Sequence, residues 1–252
     1  MYSYRHTLVA ICVFFVASVS RGEQLSVAVA SNFTATMRQL GAEFEKESGH
    51  NLNVSYGSSG KFYAQIIHGA PFQVFLSADQ TKPEALITAG FVAPENRVTY
   101  AVGALALWSS KSGLVDGNGE ILRSGSFDKL ALANPLLAPY GAAALDVLRY
   151  LSIEESTRRS WVKGENIAQT YQFVSTGNAD LGFVALSQIM DNGQLKSGSA
   201  WIVPPELYRA IKQDAVLLKT AKDSAAAKEF MAFLISDKAK TIIRSFGYGV
   251  VE

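Results

Sequence analysis

The sequence has little of what thiol, metal or nucleic-acid chemistry requires. Its 252 residues contain one cysteine, Cys12, and three histidines, and 23 basic residues nearly balance 22 acidic ones. DNA or RNA binding depends on clustered Lys and Arg, which this balance does not supply. The motifs GxSxG, HExxH and CxxC are absent, so the sequence indicates neither a nucleophile elbow nor a zinc site. We therefore expect no disulfide, no cofactor, no directly bound metal and no nucleic-acid partner.

Residues 1–22 have the pattern of a secretory signal peptide. Arg5 and His6 precede the apolar run Leu8–Val19, and the small residues Ser20 and Gly22 lie where a signal peptidase cleaves. The run is shorter than the roughly 20 apolar residues that span a bilayer, although an uncleaved anchor is the alternative. Without this segment the chain has 21 basic and 22 acidic residues, a net charge of −1 and no cysteine. The prediction is an exported protein.

The rest of the chain alternates strand-like and helix-like segments, which favours parallel sheets flanked by helices. The first half predicts strands and helices at Leu25–Ala30, Phe33–Ser48, Leu52–Tyr56, Phe62–His68 and Phe72–Leu76, followed by one strand-like run, Val98–Trp108. The second half predicts strands at Leu130–Ala133, Asp180–Leu186, Trp201–Pro204 and Ala215–Leu218, and helices at Gly141–Leu151, Ile167–Ser175, Ala225–Leu234 and Lys238–Phe246. About 230 residues of this rhythm fit two α/β lobes better than one.

Ser31 and Asn32 stand between the first strand and the first helix. Both residue types are good helix N-caps, but ligands of open α/β sheets also bind at the carboxyl ends of strands. The segment YGSSGK, residues 56–61, offers a second such turn. It lacks the GxxxxGK[ST] spacing of a phosphate loop, yet its backbone N–H groups and serine hydroxyls can approach an anion closely. A flexible turn remains the alternative.

Two further helix starts lie in the second half of the chain. Pro139 precedes a helix whose first-turn donors include the N–H of Tyr140, and Asn166 can cap the helix that begins at Ile167. Each start is ordinary by itself. Together, two starts from each lobe could face one another across a cleft and bind a small oxyanion through several N–H and O–H donors without a cation.

Candidate catalytic residues are few. His50 and His68 are expected at the surface, and Asp79 is expected to brace a turn rather than act as an acid. A secreted hydrolase with Ser59 or Ser31 as nucleophile and His68 as base is a rival hypothesis, and a purely structural exported domain is another. We expect a binding protein and no enzyme.

The sequence resembles the periplasmic molybdate-binding proteins of ABC transporters. The segments VAVASNFTATM, SYGSSGKFYAQIIHGAPFQVFLSADQ, LALANPLLAPYGAAALDVL, NADLGFVALSQI and FLISDKAKTIIRSFGYGVV carry the resemblance in order over nearly the whole exported chain. GAPFQVFLSADQ is the most specific of these segments, whereas GSSG alone is not specific.

The resemblance implies the two-lobed, type II periplasmic binding protein fold, with two hinge crossings and mainly parallel sheets. We place lobe 1 at residues 23–101 and 219–252 and lobe 2 at 102–218. The implied ligand is molybdate or tungstate, with sulfate or thiosulfate as the alternative, and the implied partner is a membrane permease. The chain is expected to act as a monomer.

The resemblance also assigns site residues one at a time. The serine hydroxyls would be those of Ser31 and Ser59, the backbone donors would be at Tyr140 and Ile167, and in one branch Asn32 also donates. Part of the family has a tyrosine where this chain has Ala185. We therefore expect Asn32 and the Tyr140 region to replace that lost donor.

Overall fold

Two five-stranded sheets organise the computed structural model, which describes residues 22–191 and 193–251. The predicted signal peptide therefore lies outside the described residues, except for Gly22. In the described part of the chain, no helix has the length and hydropathy of a membrane span. The two sheets, each flanked by helices, confirm the predicted two-lobed α/β fold.

The first sheet has the strand order β2-β1-β3-β12-β4 and forms the centre of lobe 1. Strand β1 pairs in parallel with β2 and β3, whereas β12 pairs antiparallel with β3 and β4. Its strands are β1 Gln24–Ala30, β2 Asn51–Gly57, β3 Val74–Leu76, β4 Val92–Gly103 and β12 Ile211–Leu218. The helices around it are α1 Thr34–Ser48, α2 Ser59–Ile67, α3 Thr81–Thr88, α9 Ala225–Leu234 and α10 Asp237–Ser245.

The second sheet has the order β11-β5-β8-β6-β7 and forms the centre of lobe 2. Its strands are β5 Leu105–Ser109, β6 Leu130–Ala133, β7 Trp161–Gly164, β8 Leu181–Ala185 and β11 Ser199–Ile202, and the two-residue strands β9 Met190–Asp191 and β10 Gln194–Leu195 form a separate hairpin. The helices are α4 Glu120–Ser124, α5 Pro139–Tyr150, α6 Glu154–Thr157, α7 Ile167–Ser175 and α8 Leu186–Ile189.

Local sequence signals explain where several helices begin and end. In α1 the predicted apolar residues Met37, Leu40 and Phe44 are all buried, and the helix stops at Gly49 in the left-handed conformation with φ of 73°. The side chains of Asn166 and Ser224 cap α7 and α9 as predicted, because each accepts a hydrogen bond from a first-turn N–H. Helix α3 and strand β7 have no counterpart among the predicted elements.

The chain crosses between the lobes at positions that differ from the predicted ones. The predicted run Val98–Trp108 is divided at Ala104, so that its first part belongs to the first sheet and its second part to the second sheet. The predicted boundary at 218/219 assigned all of β12 to lobe 2, but β12 lies between β3 and β4 in the first sheet. The second crossing therefore falls between β11 and β12.

The polar start of β12 explains why the predicted strand began only at Ala215. Gln213 and Asp214 are fully buried, although their residue types interrupt the apolar pattern that indicates a strand. The Asp214 carboxylate accepts hydrogen bonds from Thr99 Oγ1 at 2.7 Å and Gln80 Nε2 at 3.1 Å, and it pairs with Arg97. The burial of a carboxylate is tolerated here because each oxygen has a partner.

We predict that Asp214→Ala lowers the free energy of unfolding by about 3 kcal/mol, because it leaves the partly buried Arg97 guanidinium without its buried partner. Urea unfolding of the purified protein measures the change. Glu84→Gln is the matched control, because Glu84 pairs with the same arginine at 3.0 Å from an exposed position and should cost less than about 1 kcal/mol. Equal effects of the two substitutions would contradict the prediction.

Candidate functional site

A small cavity lies between the lobes, at the carboxyl ends of strands from both sheets. Its walls contain no charged residue. They are formed by residues that follow β1, β2, β3, β6 and β7, together with the last residues of β1 and β2: Ala30, Ser31, Asn32, Gly57, Ser58, Ser59, Ala78, Ala138, Pro139, Tyr140, Asn166 and Ile167. All five sequence-predicted site residues are therefore brought together in one cavity.

Ser31 begins a turn of 3-10 helix, Ser31–Phe33, that leads from β1 into α1. The N–H groups of a first helical turn have no acceptor inside the helix, so this turn presents free donors. The Ser31 hydroxyl donates to Asn166 Oδ1 in the other lobe at 3.2 Å. This contact holds the hydroxyl at the cavity wall, although Ser31 is only 5% exposed.

Asn32 lines the same cavity, but its amide nitrogen is engaged elsewhere. Nδ2 donates to Gln213 Oε1 at 2.8 Å and to Tyr248 Oη at 3.1 Å. Oδ1 is buried without a hydrogen-bond partner among the described residues. The side-chain N–H groups of Asn32 are thus already used within the protein, and its backbone N–H is the donor that it can offer in place of the missing tyrosine.

Ser59 is the first residue of α2, and Ser58 precedes it as the N-cap, accepting a hydrogen bond from the N–H of Lys61 at 3.4 Å. The Ser59 oxygen accepts a hydrogen bond from the N–H of Ala78 at 2.9 Å. A hydroxyl can accept and donate at the same time, so this contact orients the oxygen and leaves its proton available. Ser59 is 1% exposed, so few solvent molecules compete for that proton.

Lobe 2 contributes backbone donors from the starts of α5 and α7. Pro139 is the first residue of α5, and the N–H of Tyr140 is one of the first-turn donors that lack an intrahelical acceptor. At α7, Asn166 Oδ1 accepts from the N–H groups of Ala168 and Gln169, both at 3.0 Å, and this cap leaves the N–H of Ile167 unused. The chemistry of the cavity is therefore that of neutral donors at helix N-termini, which favours an anion.

The phenol oxygen of Tyr140 is bonded into a buried polar network at the hinge. Tyr140 Oη accepts from Gln213 Nε2 at 3.3 Å, and a Cβ at Gly103 would approach that phenol oxygen to 2.1 Å. Ser187 Oγ of lobe 2 donates to the carbonyl oxygen of Asn32 at 3.1 Å, and Tyr248 Oη donates to the same oxygen at 2.8 Å. The network therefore joins both lobes directly behind the cavity.

Three of the residues involved were not predicted from the sequence as part of the site: Gln213, Ser187 and Tyr248. The sequence offered one signal for them, which is that Gln213 and Asp214 directly precede the apolar part of β12. Ala185, where part of the family has a tyrosine, is buried, is absent from the cavity wall and donates its N–H to Gln188 Oε1 at 2.9 Å.

The groups of the rival hydrolase hypothesis are not brought together. Ser59 and His68 stand at opposite ends of α2, about 13.5 Å apart along the helix axis, and His68 Nδ1 contacts Ala64 O at 2.7 Å. Asp79 braces its turn as predicted, because it accepts from the N–H of Lys82 at 3.0 Å. The prediction that His50 lies at the surface was wrong. It is buried against Phe44 and accepts a hydrogen bond from the N–H of Glu23 at 2.9 Å.

In residues 22–191 and 193–251, no group of three or more His, Cys, Asp or Glu side chains is placed to hold a metal ion.

Comparison with known proteins places this geometry in a family context. The family model described as bacterial extracellular solute-binding protein matches residues 25–249. The molybdate-binding protein ModA of Azotobacter vinelandii is 47% identical over 249 residues, covering 99% of both chains, and ModA of Rhodobacter capsulatus is 44% identical over 242 residues, covering 96% of this chain and 94% of that relative. The solved structure of the Azotobacter vinelandii periplasmic molybdate-binding protein superposes with a TM-score of 0.88 at 41% identity, covering 90% of this chain and all of that one.

Alkaline pH should weaken the network behind the cavity. Burial raises the pKa of Tyr248 to about 12, and it raises the pKa values of Tyr100 and Tyr140 well above their ordinary value of 10.0. Below pH 10 these phenols are protonated in both the folded and the unfolded chain. As the pH rises above 10 the unfolded chain loses these protons first, so stability falls, by about 2 kcal/mol at pH 12 for Tyr248 alone.

Guanidinium unfolding at one-unit intervals from pH 7 to 12, with tyrosinate absorbance recorded in parallel, measures this loss. We expect these phenols to leave the stability unchanged between pH 7 and 9 and to lower it progressively above pH 10. Tyr248→Phe should flatten the decline, because it removes one of the three titrating phenols. A stability that stays constant up to pH 12 would contradict the prediction.

Proposed function

The chain belongs to the bacterial extracellular solute-binding proteins and, within them, to the molybdate-binding proteins, and on this basis we propose that it captures molybdate or tungstate in the cavity between its lobes. The observation that carries the proposal is the convergence of Ser31, Ser59, Tyr140 and Ile167 on one small, buried cavity without a charged residue. The captured anion is then delivered to the membrane permease of an ABC transporter.

Recognition rests on donors alone. The hydroxyls of Ser31 and Ser59 and the backbone N–H groups at Asn32, Tyr140 and Ile167 supply at least five hydrogen bonds to the oxygens of a tetrahedral anion. Each charge-assisted hydrogen bond contributes about 1.5 to 3 kcal/mol, so five of them hold an anion without a salt bridge. The metal in the ligand is enclosed by its own oxygens and needs no protein side chain as ligand.

Capture and release follow from the division of these donors between the lobes. The anion binds the donors of one lobe, and closure adds the donors of the other, so the closed form is favoured by the difference in contacts between the two states. The Ser31 hydroxyl exchanges its bond to Asn166 Oδ1 for one to the anion. Release at the permease needs no separation of a buried ion pair.

Sulfate or thiosulfate is the second candidate ligand, because both are fully deprotonated and suit the same donors. Phosphate near neutral pH carries a hydroxyl proton, and the cavity walls offer it no carboxylate. Molybdate and tungstate differ from sulfate in being larger. The cavity size in the closed form is therefore the property that selects among these anions.

The remaining parts of the proposal concern the setting of the protein. Secretion through a cleaved signal peptide would place it in the periplasm. We propose that it acts as a monomer, has no nucleic-acid partner and catalyses no reaction. The separation of Ser59 and His68 supports the last point for the hydrolase considered above.

Thermal unfolding with added anions tests the proposed ligand. Sodium molybdate and sodium tungstate should each raise the melting temperature of the exported chain, since a ligand at 100 times its Kd stabilises the folded state by about 2.7 kcal/mol. Sodium chloride at matched ionic strength is the control. The proposal fails if neither anion shifts the transition while sulfate or phosphate does.

Alanine substitution tests the two hydroxyls. Ser59→Ala and Ser31→Ala should each weaken molybdate binding about 10- to 150-fold in isothermal titration calorimetry, the equivalent of one charge-assisted hydrogen bond. Ser126→Ala is the matched control, because Ser126 is exposed and is not part of the cavity wall. Unchanged affinity in both site variants would contradict the assignment of these hydroxyls.

A further inference from the structure

One backbone hydrogen bond joins the lobes at the edge of the cavity. Gly60 is the second residue of α2, so its N–H is a first-turn donor that lacks an acceptor in its own helix. It donates to the carbonyl oxygen of Leu137 in lobe 2 at 2.9 Å. Gly60 follows Ser59 directly, and Leu137 precedes Tyr140 by three residues. The contact therefore lies beside a residue of each lobe that is proposed to donate a hydrogen bond to the anion.

The contact leaves no room for a side chain. A Cβ at Gly60 would lie 3.0 Å from both the Cα and the carbonyl oxygen of Leu137, and both of these are backbone atoms. At this distance the neighbouring backbone has to give way by a few tenths of an ångström. The position therefore needs glycine for its lack of a Cβ, and its conformation is ordinary helix.

The segment that Gly60 meets is held by its own hydrogen bonds. Asn134 O accepts from the N–H groups of Leu137 at 3.0 Å and Ala138 at 2.9 Å, and Asn134 Oδ1 accepts from the N–H of Leu136 at 3.1 Å. The N–H of Asn134 donates to Gly164 O at 2.7 Å, which ties the turn to β7. Because these bonds hold the turn in place, we expect a side chain at position 60 to be accommodated by a small displacement between the lobes.

We infer that the contact between Gly60 and Leu137 is the stop that limits closure, and that it fixes the smallest anion both lobes can touch at once. The inference rests on the proposed function and adds a specificity-determining residue that touches no ligand. A larger tetrahedral anion reaches the donors of both lobes at this separation, whereas a smaller one contacts one lobe only. The ion pair between Lys61 and Glu165 spans the same gap on its solvent side, where both side chains are about half exposed.

Gly60→Ala tests the stop. Alanine is a better helix former than glycine, so lobe 1 should fold at least as well. In the closed form the added methyl group would hold the lobes apart and keep the donors at Tyr140 and Ile167 from the anion. We expect at least about a tenfold loss of molybdate affinity by calorimetry, the equivalent of one weakened hydrogen bond. Molybdate should also compact the variant less than the wild type in small-angle X-ray scattering.

Two control variants separate the stop from other effects. Gly117→Ala introduces the same methyl group where no atom lies within 4 Å, and it should bind as the wild type does. Lys61→Gln removes the ion pair and retains the backbone contact. It should change the affinity less than about fivefold at physiological salt, since exposed ion pairs contribute little.

Each remaining outcome overturns a defined claim. If the wild type binds molybdate and Gly60→Ala binds it equally well with equal compaction, the stop is refuted and the proposed function stands. If Lys61→Gln reproduces the full loss, the ion pair sets closure and the stop is refuted. A ligand-free Gly60→Ala protein that melts well below the wild type would place Gly60 in the packing of lobe 1, which also refutes it. A wild type that binds neither molybdate nor tungstate overturns the proposed function and the stop together.

Discussion

The structure depends on one constraint, which is that the N–H groups in the first turn of a helix need acceptors from outside that helix. At the starts of α2 and α7 the side chains of Ser58 and Asn166 satisfy some of these donors. Other first-turn N–H groups remain free at the cavity, and the N–H of Gly60 donates to Leu137 of the opposite lobe. An anion that enters the cavity satisfies the donors that folding leaves free. Ligand binding and lobe closure therefore complete the same set of hydrogen bonds.

The polar network at the hinge has a different role from the donors of the cavity. Asn32 donates to both Gln213 and Tyr248. Gln213 in turn bonds to Tyr140, and Tyr248 bonds to Ser187, so the network connects the lobes. These side chains are buried and engaged, so they hold the backbone of the donor segments in place rather than contacting an anion. The division explains how Asn32 and Tyr140 can serve the site through their main chains while their side chains face the hinge.

Local sequence patterns were sufficient to predict the four helix starts around the cavity to within three residues, and insufficient to predict the hinge. Ser31, Ser59, Tyr140 and Ile167 each stand between a strand and a helix, and that position is visible in a short window of sequence. The network partners of Asn32 lie 181 and 216 residues away in the chain, a relation that no local pattern records. Gln213 and Asp214 interrupt the apolar pattern at the start of β12, because their burial depends on partners that only the fold brings together. The family resemblance predicted the two-lobed fold of the whole chain, but it did not predict where the chain crosses between the lobes.

The backbone donors at Tyr140 and Ile167 have a consequence for how this site changes over evolutionary time. Every amino acid except proline presents the same N–H, so substitutions at these two positions preserve the donor while they alter what lies behind it. In the proposed site, these two donors are thereby encoded by chain geometry and are insensitive to residue identity. Selection for a particular anion would act instead on the two serines, on the glycine proposed to set the spacing of the lobes, and on the segments that hold the four helix starts in place.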